Sequence, residues 1–220
     1  MFKCDMHVHS RHSKKPTNWL LKQFGCPESF VEPRHIYDTA KARGMTHVTI
    51  TDHNSIGGIQ EIMHLPGVFT GCEFTCHFDD GCKIHVLAYG FNVEQWETLM
   101  GLRKDLKAFV AFCKGEHLLH AIAHPLYSVN DKLTAAHVRE LTQLFDRYEL
   151  NGMRSSSMNR ITSSVFGPGA IAIGGSDDHS GALIAKRWTS HPGNGLDDLK
   201  LNPSAIEVGG RSAEPYELAY

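Results

Sequence analysis

Short apolar runs alternate with amphipathic stretches along the whole chain. Seven runs, over residues 1–9, 47–52, 68–75, 83–90, 118–124, 146–150 and 170–175, predict strands, with a weaker eighth at 205–208. Most are four to eight residues long, apolar and rich in Val and Ile, the pattern of strands buried on both faces. Asp79-Asp80-Gly81 between the third and fourth reads as a hairpin turn and predicts an antiparallel pair there. Residues 33–43 predict a helix, with Pro33 at its start and Gly44 past its end. A second helix over 93–115 presents Trp96, Leu99, Leu102, Leu106, Phe109, Val110 and Cys113 as one core-facing stripe. Thr134 caps a third through Phe145, with Val138, Leu141, Leu144 and Phe145 inward. Strands and helices in alternation predict a parallel-sheet α/β fold, plausible as a barrel. No repeat or linker divides the sequence, so one domain over 1–220 is expected. Residues 213–220 read as the opening of a helix without the rest of its apolar face, which predicts a natural chain longer than this one.

Charge narrows the function classes. In 220 residues, 22 basic side chains face 24 acidic ones, a net charge of −2. Such a balance gives no footprint for duplex nucleic acid or an anionic membrane. No apolar run approaches the roughly 20 residues of a membrane helix, and the N-terminus does not resemble a signal peptide, so a cytoplasmic protein is expected. The six cysteines form no C-x-x-C pair. Cys72, Cys76 and Cys82 cluster closely enough to be considered as zinc ligands, but reduced, buried thiols are the preferred reading.

The 15 histidines, an unusually large share, are the main chemical signal. His7 and His9 close the first predicted strand two residues apart, so both imidazoles face one way. Thr51-Asp52-His53-Asn54 closes the second strand; Glu73 lies near the end of the third and His85 early in the fourth. His124 ends the fifth, Glu149-Leu150-Asn151-Gly152 the sixth, and Ser176-Asp177-Asp178-His179 follows the seventh. Each alone is weak: a single His at a strand end is more often hydrogen-bonded structure. Their repetition at the ends of apolar runs is what signals a site, because such residues are costly to bury. In a parallel barrel these ends share one rim. Imidazole with carboxylate suits zinc, iron or manganese, and the number of candidates exceeds one tetrahedral site.

The ordered set D-M-H-V-H-S, I-T-D-H-N, G-C-E-F, H-V-L-A-Y-G, A-H-P and G-S-D-D-H-S resembles the polymerase and histidinol phosphatase (PHP) superfamily of metal-dependent phosphoesterases, from Met1 to about His179. The resemblance implies a distorted (β/α)7 barrel of TIM-like form with two or three divalent ions. It implies His7, His9, Glu73 and Asp177 around one ion, Glu73 bridging to a second held by His85 and His124, and His53 and His179 at a third. The family commonly completes the third site with an Asp or His shortly after the first H-x-H. Here that stretch contains Lys14 and Lys15, leaving His12 as the candidate substitute. The implied reaction is hydrolysis of a phosphomonoester or short phosphodiester by a water activated between two ions, with Glu73, Asp177, His53 and His179 in the catalytic constellation. His53 or His179, if protonated, would serve the leaving group. Asp52 and Asp178 are read as holding imidazole tautomers, weighed evenly against plain turn stabilisation.

Arg154 and Arg187 are the candidate phosphate-binding residues, since a guanidinium matches phosphate through parallel N–H donors. The expected partner is a small phosphorylated molecule or a short oligonucleotide. Two other readings compete: an amidohydrolase-type enzyme, which usually bridges its metals with a modified lysine, and a catalytically silent metal-binding accessory module.

Overall fold

The computed structural model describes residues 1–13 and 28–214. Lys14, Lys15, Cys26 and most of the expected C-terminal helix opening lie outside the described residues. Two sheets carry the fold. Strands β1 (Phe2–Cys4), β2 (Gly71–His77), β3 (Lys83–Tyr89), β4 (Leu119–Ile122), β5 (Arg147–Asn151), β6 (Ile171–Gly175), β7 (Arg187–His191) and β8 (Glu207–Gly210) form a five-stranded sheet β2-β3-β4-β5-β6 and a three-stranded sheet β1-β7-β8. The described helices are α1 (Pro33–Ala42), α2 (Gly57–Ile62), α3 (Val93–Leu102), α4 (Leu106–Gly115), α5 (Ala135–Leu144), α6 (Ser156–Phe166) and α7 (Leu196–Leu201).

The 78–82 turn reverses the chain as expected. Cys82 N–H donates to the Asp80 carboxylate, and Gly81 takes a φ of +80° that suits glycine. β3 is therefore antiparallel to β2 and also to β4, whereas β4, β5 and β6 are mutually parallel. The long helix expected over 93–115 is two helices. Asp105 accepts from Ala108 N–H and caps a new start, because its side chain competes for a backbone donor.

The first expected strand is regular only at its beginning. Beyond Cys4, the buried Asp5 side chain accepts from the N–H groups of His7, Ser176 and Ala185 and from Ser176 Oγ. Side-chain bonds there replace a ladder, and Val8 keeps a single parallel bridge to Asp178. The 47–52 run likewise makes only isolated bridges, Val48 to Val68 and His53 to Glu73. β7, α2, α6 and α7 were not expected, and the last strand lies two residues later than its apolar run suggested.

Period-2 alternation divides the five-stranded sheet. Val86, Ala88, Ile122 and Tyr148 belong to the larger core with the helices, while Leu87, Tyr89, Leu119, Ala121 and Ile173 form a second core on the other face with Phe2 and Met6. That second face also carries Glu73, His85, Glu149 and Asn151, at the end where β4, β5 and β6 finish. Cys4, Cys72, Cys76, Cys82 and Cys113 are free and buried, and burial pushes the Cys72 and Cys76 thiols up, as inert protonated groups.

Gly175 allows β6 to approach the H-x-H segment. A Cβ there would overlap the His7 Cβ, and would lie 2.6 Å from the His7 nitrogen and 3.0 Å from Glu149 Oε1. Gly175→Ala is expected to destabilise the protein by about 1–3 kcal/mol through forced backbone movement. Denaturant unfolding of the purified variant checks this, and a loss within error of zero would mean the approach is not tight.

Candidate metal centre

Glu73 lies at the middle of the polar end, fully buried, with its two oxygens facing different partners. Oε1 stands 2.9 Å from His85 Nδ1 and 3.1 Å from His124 Nε2. Oε2 stands 2.8 Å from His53 Nδ1 and 3.3 Å from Nε2 of both His7 and His9. β2 and β3 deliver Glu73 and His85, His124 follows β4, and Asp177 follows β6. Both His124 and Asp177 have positive φ, +27° and +56°, the kind of backbone strain found where a side chain must be aimed.

The spacing of these atoms is that of a coordination shell. His7 and His9 bring their Nε2 atoms within 2.9 Å of each other, and Asp177 Oδ1 is 3.3 Å from one and 3.4 Å from the other. Ligands about 2.0–2.1 Å from one tetrahedral ion stand roughly 3.3 Å apart. Three sets bring ligand atoms within 4.8 Å of one another: His7, His9 and Asp177; His53, Glu73 and His85; and His9, His53 and His179.

The imidazoles are also oriented for it. His7 Nδ1 lies 2.8 Å from Glu149, which acts as the outer carboxylate that fixes a ring's tautomer. Ser13 Oγ donates to Asp52 and so accepts from His9 Nδ1 at 2.9 Å. His179 Nδ1 donates to the Asp177 carbonyl at 3.0 Å. In all three rings Nδ1 donates outward and Nε2 faces inward; among the described residues, buried His179 Nε2 has no hydrogen-bond partner. Such a buried acceptor fits a cation.

Charge follows the same plan. Burial disfavours charge on His53, but Glu73 and Glu28 outweigh it and raise its pKa to about 10. Glu149, Glu73 and Asp177 overcome the same penalty to raise His7. Burial lowers His85 to about 4 and, with the charge on His9, His179 to about 3. Burial would raise Glu73 and Asp177, yet the facing imidazoles hold both well below the usual carboxylate range.

The sequence candidates therefore converge, with exceptions. His12 turns away and lies 2.7 Å from Glu61, beside Arg11, which pairs with Glu61 and Glu32. Asp178 accepts from Ser180, Gly181 and Leu183 N–H groups and stabilises its own turn, whereas Asp52 reaches His9 through Ser13. Arg154 lies over the Tyr127 ring, 4.6 Å from its centroid, and lines a cavity of about 140 Å³ with His124, Glu149 and Asn151. Arg187 lines a different cavity with Leu150, Ser163 and Arg160. Sequence reasoning noted Glu149 and Asn151 at the end of the sixth run without giving them a role, and missed Glu28. Glu149 holds His7 and the His124 N–H, Asn151 joins Glu149 to Asp177, and Glu28 stands 3.2 Å from His53 Nε2. Glu149 and Asn151 lie two apart on a strand that ends at the same rim, a signal that was present.

Glu149→Gln is expected to weaken metal affinity about 10- to 100-fold while leaving the ligands in place. Titration of the metal-stripped variant against a competing chelator measures it; unchanged affinity would assign Glu149 to the fold alone.

No family model matches the chain. An uncharacterized protein of Methanocaldococcus jannaschii is 44% identical over 59 residues, 26% of this chain, and the chain spans about a third of that relative's length. Solved structures match over far more of it. An amidohydrolase from Chromobacterium violaceum, with bound sulfate and no metal, gives a TM-score of 0.61 at 15% identity, over 82% of this chain and 89% of the other. A protein from Bifidobacterium adolescentis assigned as a metal-dependent phosphoesterase gives 0.55 at 14% identity, over 80% and 87%. The lesion-specific endonuclease EndoQ from Pyrococcus furiosus gives 0.58 at 14% identity, over 94% of this chain and 57% of the other. In its fold, this chain is similar to these amidohydrolase, metal-dependent phosphoesterase and endonuclease structures.

Proposed function

We propose that the protein is a metal-dependent phosphoesterase that hydrolyses a small phosphomonoester or a short phosphodiester. The observation that carries this reading is the division of Glu73, one oxygen toward His85 and His124, the other toward His7, His9 and His53. A carboxylate so placed is suited to bridge two cations. His7, His9, Asp177 and Glu73 would hold one ion, and Glu73, His85 and His124 a second. The donor set suits zinc, manganese or iron. Divalent ions bound there would make a water acidic enough to attack at neutral pH and would take up charge on the phosphoryl oxygens.

The protein's own residues do the positioning. Asn151 donates to both Glu149 and Asp177 and keeps the two carboxylates apart. Asn159 in α6 in turn clamps the Asn151 backbone, accepting from its N–H and donating to its carbonyl. Arg154, braced on Tyr127, is the phosphate-binding candidate at this end; Arg187 opens on another cavity and is the weaker one. The cavity beside the centre, about 140 Å³, is small against the roughly 300–1,000 Å³ of drug-sized sites and favours a small substrate.

The finer architecture belongs to the same proposal. Thr51 N–H donates to the Val8 carbonyl, and Met6 and Asp177 N–H groups donate to Gly174 and His7. These bonds support a distorted (β/α)7 barrel in which the 5–9 segment closes the row of strands, as one domain. The sulfate-bearing amidohydrolase has a similar fold, but buried Glu73 stands between the imidazoles where an amidohydrolase-type reading expects a modified lysine.

Phosphate release from a panel of phosphomonoesters and short oligonucleotides, with added manganese or zinc, tests the function. Turnover is expected, and its absence with the ions bound would sink the reading. On the best substrate, Arg154→Ala is expected to raise KM about 10- to 100-fold, the worth of a charged hydrogen bond of roughly 1.5–3 kcal/mol. Steady-state kinetics with KM unchanged would remove Arg154 from phosphate binding.

A further inference from the structure

We infer that Glu28 is the carboxylate ligand of a third cation site, completed by His53 and His179. This rests on the proposed metal centre but departs from the position the family resemblance implies, just after the first H-x-H. His12, the candidate there, is held by Glu61.

Three independent features place Glu28 at the rim. Its Oε2 lies 3.2 Å from His53 Nε2, and its side chain is only 14% exposed. Its partner His53 belongs with His9 and His179 to one set whose ligand atoms lie within 4.8 Å of one another, so Glu28 stands beside an imidazole group and not an isolated ring. Its backbone is also fastened to the H-x-H segment: Glu28 N–H donates to the Ser13 carbonyl, Ser29 Oγ donates to the His9 carbonyl, and Arg11 N–H donates to the Val31 carbonyl. Residues 28–31 thus run beside 9–13 and bring the acid to His53.

The imidazoles are ready for such a partner. His9, His53 and His179 bring ligand atoms within 4.8 Å of one another, and the His9 and His179 rings stack at 4.1 Å. His9 Nε2 is committed to the first ion, between Glu73 and Asp177. Among the described residues, buried His179 Nε2 has no hydrogen-bond partner. Two imidazoles and one carboxylate make a three-ligand set, which leaves an open position as catalytic sites do. A carboxylate also supplies the negative charge that imidazoles lack.

Elemental analysis of metal-saturated, desalted protein tests the assignment. Glu28→Gln should carry one equivalent fewer than the wild type, and Glu28→His should regain it. His12→Ala should match the wild type, and circular dichroism should show all four proteins equally folded. A Glu28→Gln chain with the full wild-type complement overturns the assignment while leaving a dinuclear centre intact. Loss of the equivalent in His12→Ala instead overturns it in favour of His12. Wild-type protein that binds no ion overturns both this assignment and the reading on which it rests.

Discussion

A carboxylate with no exposed surface is the constraint on which the rest depends. Burying Glu73 in isolation would cost several kcal/mol or shift it to the neutral acid, so its charge survives only if polar and positive groups surround it. Five imidazoles do so, and they come from segments scattered between residues 7 and 124. The strands must therefore end together. The reversal at Gly81 has its use here: an antiparallel β3 brings His85 in near its beginning, opposite Thr75 and two residues along the same face from the partner of Glu73, while the parallel strands bring theirs at their ends.

The same face of the sheet serves two purposes along its length. Leu87, Tyr89 and Ile173 fill one end as ordinary core, and Tyr89 donates to the Met6 carbonyl to fix the first segment over it. Past Leu87 and Ile173 the same alternation delivers His85 and Gly175 to the polar end. Stability and chemistry share a face, and a rigid apolar floor holds the ligands above it at fixed distances.

Much of this was legible from residue order. The alternation in β2 to β6 placed the sheet, and the polar residues at the ends of those runs placed the site. What was not legible depended on contacts distant in sequence. β7, Arg-Trp-Thr-Ser-His, has too little apolar character to stand out, and it forms because Phe2–Cys4 and Glu207–Gly210 flank it. Asp52 and Asp178 stand in near-identical contexts, each before a histidine, yet only Asp52 reaches a ligand, because Ser13 lies between it and His9. Glu28 carried no local signal at all. It follows no apolar run, and its position comes from backbone bonds to a segment 15 or more residues earlier.

The protonation pattern explains why such a cluster can fold before it acts. With no cation, His7, His9 and His53 are held toward the charged form by the acids around them, and these protons balance Glu73 and Asp177. A divalent ion bound there would take over that compensation and would have to displace the protons, since only a neutral imidazole is a ligand. His85 and His179 are neutral already and present lone pairs at no such cost. The centre is thus preorganised in two ways: part of it waits as ligand, and part is held in register by protons that loading releases. Acid conditions, which keep those protons in place, therefore oppose loading more strongly than the ordinary imidazole pKa would suggest, by an amount set by how far the acids raise His7 and His53.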